Sequence, residues 1–203
     1  KGWLPLADDP ESVLILDPLT GRDGAAEMRS LADGTTEMTM HIPSGQSLIL
    51  KTFSERKVEG SAFPFMVEGD APVTIEGPWT VTFIEGGPTL PDPMTMPQLV
   101  SWTKLGEQAA ERFSGTARYT TTFDLPVNDA KTWRINLGQV AESARVRVNG
   151  KDFGILFMPS MYIDVPNNLL QPAGNILEVE VTNLSANRIR GLDQDGVNWR
   201  KFH

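Results

Sequence analysis

The sequence predicts an all-β protein, a β-sandwich or jelly roll preceded by a smaller β segment. Three observations carry that expectation. Short runs of alternating apolar and polar residues recur along most of the chain, separated by turn-forming stretches. Proline and glycine number 15 and 18 in 203 residues without any period, which suits many turns rather than a fibrous or disordered chain. Helical periodicity is confined to a few short pieces.

Taken in order, SVLILD (12–17) is the first strand. The unit EMTMHIPSGQSLILKTF then gives two strands, 36–42 and 47–53, around a four-residue turn from Pro43 to Gln46. Residues 54–72 lose periodicity and collect Gly, Pro and charge, which marks the domain boundary. Residues 1–70 are read as a β-sandwich segment, part of a preceding domain, and 71–203 as the jelly roll proper. Further strands are WTVTFIE (79–85), GTARYTTTFDL (115–125), TWRINLG (132–138), MYIDVP (161–166) and ILEVEVTN (176–183). In the second of these, Ala117, Tyr119, Thr121 and Phe123 share one side. In the last, Leu177, Val179 and Val181 point inward and Glu178 and Glu180 outward. Residues 101–113 hold a short turn of helix, and NNLLQPAG (167–174) a single turn stopped by Pro172 and Gly174.

The segment SARVRVNGKDFGILF (143–157) is a β-hairpin. Asn149-Gly150 fills a two-residue type I′ turn, in which both central residues take positive φ. That turn pairs Val148 with Lys151, Arg147 with Asp152, Val146 with Phe153 and Ala144 with Ile155. Val146 and Phe153 then face the core, while Arg145 and Arg147 lie on a solvated face that offers a docking surface.

Composition excludes several kinds of function. A net charge of −8 argues against a nucleic-acid backbone as partner. There is no cysteine, hence no disulfide, thiol nucleophile or Cys-ligated zinc. No apolar run is long enough to span a membrane. The chain reads as an excised piece of something longer. Histidine is limited to His41 and His203, with His41 in an alternating strand beside Met38 and Met40, so neither a Ser-His-Asp triad nor a His-rich metal site is expected. No P-loop, G-x-S-x-G or dinucleotide fingerprint is present. Glu107 and Glu111, four residues apart, read as a solvated helical face rather than a catalytic pair. Asp193 and Asp195 resemble a fragment of a calcium loop, too short and without the distal bidentate glutamate. No cofactor is expected, with a structural calcium as the alternative.

Sugars are bound by stacking of their C–H faces on Trp or Tyr, with Asn, Asp and Arg reading the hydroxyls. Trp102 in the long proline-rich loop, Arg112 ten residues on, and NRIR (187–190) just past a strand end supply those groups. Trp79 and Trp133 lie at or in strands and are read as core.

The motifs FSGTARYTTTFDLP, INLGQVAESARVRVNGKDFGILFMPSMYIDV and NILEVEVTNLSANRIRGLD, over residues 75–190, resemble a known family. It is the galactose-binding-like jelly roll called the sugar-binding domain of glycoside hydrolase family 2. With the upstream LDPLTGRDG and IPSGQSLILKTF, the chain is similar to the C-terminal part of family 106 enzymes, the α-L-rhamnosidase-like glycoside hydrolases. The resemblance places Asn187 and Arg188 on that family's Asn-Arg after the last strand. Phe157 departs from it, since the family often has Trp there. The family's catalytic machinery lies in a barrel domain absent from this chain, so no catalytic residue is implied. What the resemblance implies is a non-catalytic, carbohydrate-binding or accessory region, periplasmic or secreted, whose partners are glycan, the catalytic domain of its own parent chain, or both. The expected carbohydrate contacts are Trp102, Arg112, Asn187 and Arg188. The alternative is a module that binds glycan unaided.

Overall fold

The structure, a computed structural model, describes residues 2–66, 69, 72–127, 129–157 and 161–200. His203, and the residues at the expected boundary, Asp70 and Ala71, lie outside them. The chain divides into two compact units, Lys1–Ala71 and Pro72–His203. The architecture is an all-β sandwich.

Among the described residues, the first unit holds six strands, β1 (Gly2–Pro5), β2 (Ser12–Leu16), β3 (Asp23–Ala25), β4 (Met28–Ser30), β5 (Thr36–Met40) and β6 (Ile49–Phe53). They form two antiparallel three-stranded sheets, ordered β1-β5-β4 and β3-β2-β6. Val13, Ile15 and Met38 are buried in a small core, with Met28, Met40, Leu50, Phe63 and Phe65 packed against them. The turn at Pro43–Gln46 forms, closed by the Gln46 amide on the Pro43 carbonyl at 3.1 Å. Its flanking strands do not pair with each other. β5 joins β1 and β4, whereas β6 joins β2, so the turn is an arch between sheets. β1, β3 and β4 are too short to alternate visibly, and sequence periodicity passes them by.

In the second unit, β7 (Trp79–Gly87) and β8 (Met94–Met96) precede a 3-10 turn at Trp102–Lys104 and helix α1 (Gln108–Glu111). Then come β9 (Ser114–Phe123), β10 (Thr132–Asn136), β11 (Ser143–Val148), β12 (Lys151–Leu156) and β13 (Tyr162–Pro166). A 3-10 turn at Asn167–Leu169, β14 (Asn175–Thr182) and helix α2 (Ala186–Gln194) complete it. One sheet has six strands in the order β12-β11-β14-β9-β7-β8, and the other pairs β10 with β13. The inward residues of both meet in one core: Val81, Ala117, Tyr119, Val146, Val148, Leu177 and Val179 from the larger sheet, Ile135, Ile163 and Val165 from the smaller. Alternation along β9 and β14 is as expected, because each strand is buried on one face only.

The hairpin turn forms with φ of 50° at Asn149 and 78° at Gly150. Val148 faces Lys151 and Arg147 faces Asp152, as the type I′ turn requires. Beyond that the register shifts. Arg145 faces Ile155 and Ala144 faces Leu156, replacing the expected Ala144–Ile155 pair. The slip lies where Gly154 adopts a φ of 88° and its amide donates to Asp152 Oδ1 at 2.8 Å, the mark of a bulge that absorbs one residue. At the start of β9 two glycines, Gly115 and Gly86 of β7, meet across strands. A Cβ on Gly115 would lie 2.1 Å from the Glu85 carbonyl and 2.8 Å from the Phe113 ring, so backbone and ring occupy the space a side chain would need.

Candidate functional site

Three of the four expected contact residues, Arg112, Asn187 and Arg188, meet at the junction where β9 begins and β14 ends. Asn187 and Arg188 lie in the first turn of helix α2. The helix is short, and its apolar side is only Ile189 and Leu192, so its period is faint in sequence. Gly191, usually a helix-weakening residue, is buried here because the Arg112 stem lies 3.0 Å from where its Cβ would be.

Helix α2 is fastened to the start of β9 at several points. The Asn183 and Asn187 amides donate to the Phe113 carbonyl at 3.1 and 3.3 Å. Asn183 Oδ1 accepts from the Gly115 amide at 2.8 Å, and Ser114 Oγ accepts from the Arg188 amide at 3.2 Å. Arg112 grips the other end, its guanidinium donating to both oxygens of Asp195 at 2.6 and 2.9 Å. Arg190 Nη2 donates to the Glu111 carbonyl at 3.0 Å. Asp193 and Asp195 therefore stand at the end of a helix, not in a calcium-type loop. Among the described residues, no three His, Asp or Glu side chains are arranged to hold a metal ion.

Trp102 is a correction to the expected site. It is 5% exposed, and its indole sits in the core among Phe83, Phe113 and Tyr119. The Tyr119 ring stacks along it at 6.5 Å between centroids, and burial raises the Tyr119 phenol to about 12. The faces a sugar would need are taken by protein rings. Arg112 and Asn187 likewise spend their polar groups on Asp195 and the Phe113 carbonyl. Arg190 and Asp193 are exposed, Arg188 and Trp199 are half-buried, and the Trp199 indole N–H approaches Asp193 Oδ1 at 3.5 Å. Arg200 lies over the Trp199 ring, 5.0 Å from its centroid. Arg190 and Asp193 stand three residues apart on one side of the helix, with Arg188 on the other, and a planar donor, a carboxylate and an indole are groups suited to hydroxyls and C–H faces.

The face carrying Arg145 and Arg147 is a lattice of ion pairs. Arg147 Nη1 and Arg118 Nη2 donate to the same Glu180 oxygen at 2.8 and 2.7 Å, and Arg145 Nε donates to Asp152 at 2.8 Å. Cross-strand facing had suggested Arg147 with Asp152. The bulge instead gives Asp152 to Arg145, and Arg147 reaches across to β14. Burial alone would raise the Glu180 carboxyl, but hydrogen bonds from Arg147 and Arg118 outweigh it and hold it below the usual range. The Arg145 bond, with the Gly154 amide, does the same for Asp152. On the smaller sheet Arg134 forks onto Asp164 at 2.8 and 3.1 Å and lies 3.9 Å over the Tyr162 ring. In the first unit, a shallow polar hollow is lined by Asp9, Glu11, Arg29, Ser30, Thr36 and Ser54. There the Thr36 hydroxyl donates to Asp9, and Arg29 bonds Glu37 at 2.8 Å beneath the Trp3 ring.

No protein-family model matches the chain. It is 32% identical over 175 residues, 84% of its length, to a curated protein of Formosa agariphila named "Putative beta-glucuronidase", of which it spans 14%. Its fold matches a rhamnosidase structure from Novosphingobium sp. PP1Y at a TM-score of 0.72 and 24% identity. That match covers 96% of this chain and 18% of the rhamnosidase chain. The chain thus spans less than a fifth of either relative. No described helix is long and apolar enough to cross a membrane.

Proposed function

We propose that this chain is a non-catalytic accessory region of a multidomain glycoside hydrolase, packing on the catalytic domain and contacting glycan through polar and aromatic groups of α2 and the segment after it, Arg188 and Trp199 among them. One observation carries the reading. Similarity runs through 84% of this chain yet occupies only 14% of a protein named as a glucuronidase, as expected of one piece of a much larger enzyme. The site chemistry supports it. The carboxylates Asp152, Asp164, Asp195 and Glu180 are each bound to an arginine, which favours a fixed surface over a carboxylate pair free to exchange protons with a glycosidic oxygen. A periplasmic or secreted location belongs to the same reading, and fractionation of the native host tests it.

The decisive experiment pairs turnover with binding. The 203-residue chain is incubated with aryl α-L-rhamnosides and aryl β-D-glucuronides, and affinity electrophoresis is run on candidate polysaccharides. The expected result is no turnover, with weak glycan retardation reduced by Arg188→Ala or Trp199→Ala. Turnover by this chain overturns the reading. Tight binding by the isolated chain, lost in those variants, would make it a carbohydrate-binding module that acts unaided.

A further inference from the structure

Asn149-Gly150 is the one Asn-Gly pair in the sequence, and it stands at an exposed turn. In a flexible chain such a pair is chemically labile. The Gly amide nitrogen, deprotonated by solvent base, attacks the Asn side-chain carbonyl carbon. A C–N bond forms within a five-membered imide, the bond to the side-chain nitrogen breaks, and ammonia leaves. One water then opens the imide at either carbonyl, giving aspartate or isoaspartate. Glycine permits this because it puts no side chain in the path of attack, and nothing lies within 4 Å of where a Gly150 Cβ would be.

The fold works against that reaction. The Asn149 amide nitrogen donates to the Leu169 carbonyl at 3.0 Å and to Asn175 Oδ1 at 2.9 Å. Its oxygen accepts from the Ile176 amide at 2.9 Å, and its own backbone N–H donates to the Ile176 carbonyl at 2.9 Å. The side-chain carbon is thereby held toward β14 and the 3-10 turn, and the backbone is set in a type I′ turn. Both the side chain and the backbone must let go before Gly150 N can close on it.

We infer that Asn149 is a deamidation site kept closed by the native fold, a one-way fuse that fires when the hairpin opens from β14. The product cannot restore the latch. A carboxylate has no N–H for Leu169 or Asn175, and it sets negative oxygen against two acceptors. Asn175 is fully buried and already accepts from the Gln171 amide at 2.8 Å, so its oxygen cannot turn elsewhere without loss. Isoaspartate further adds a carbon to a two-residue turn.

Two measurements test this. The intact chain is aged at mildly alkaline pH, native and in denaturing urea, and the peptide containing Asn149 is followed by mass and by isoaspartate detection. Deamidation in urea is expected to run about ten-fold or more faster, since the native rate is limited by the small open population. Equal rates overturn the protection. Separately, Asn149→Asp is expected to melt below the parent chain, and an unchanged midpoint overturns the latch.

Discussion

Trp102 and Glu180 show how little a residue's type says about its task. Trp102 has the side chain of a sugar platform but the surroundings of a core residue, 5% exposed among three rings. Trp102→Ala should therefore cost about 3–5 kcal/mol in urea unfolding, the range for aromatic truncation in a core. A variant that keeps full stability would return Trp102 to the surface. Glu180 was expected only to face outward, yet it collects two guanidinium groups, from Arg118 and Arg147. Its carboxyl is held below the ordinary value, so the native state binds fewer protons there than the unfolded chain does. The stability it contributes is present above the ordinary glutamate range, about 4, and is lost as pH falls through the lower native value. Melting midpoints of the parent chain should drop over that acid window. Glu180→Gln should lower the midpoint at neutral pH and flatten the acid limb, and parallel profiles for the two proteins would contradict this.

Among the elements, the hairpin is the most fully legible in sequence. Asn149 and Gly150 need positive φ and have it, so Asn149→Val with Gly150→Val should destabilise by about 2 kcal/mol or more, read from thermal melts. The bulge at Gly154 was not legible. A glycine in a strand signals either flexibility or a bulge, and only the Gly154 amide bound to Asp152 tells which. Where β7 and β9 approach, Gly115→Ala places a methyl 2.1 Å from the Glu85 carbonyl. The variant should lose about 1–3 kcal/mol, typical of an overfilled site, and wild-type melting would mean that the strands separate freely there. Helix α2 leaves no helical signal in the sequence, because an amphipathic period needs more than two apolar positions to show. Its position depends on Asn183, Asn187 and Arg112, which bind the start of β9 and Asp195 rather than their own neighbours in sequence.

At the scale of the molecule, the two units differ in how much core each encloses. Among the described residues, 17 buried hydrophobics form the cluster of the second unit and 3 that of the first. Stability follows buried apolar area, and small cores are marginal. Residues 72–203 produced alone should melt cooperatively with native far-UV circular dichroism, whereas residues 1–71 alone should be only partly folded. The reverse outcome would show that the larger core depends on the smaller unit.

The sequence by itself determined the fold class, the inward faces of β9 and β14 and the hairpin turn, because period-two alternation and turn chemistry act between residues close along the chain. Tertiary structure alone decided that Glu180 serves Arg118, 62 residues away, and Arg147, 33 away, and that Trp102 lies inside. It also decided that α2 is a helix stapled at both ends. Those outcomes depend on which strands become neighbours, and the order β12-β11-β14-β9-β7-β8 is not written in any local pattern.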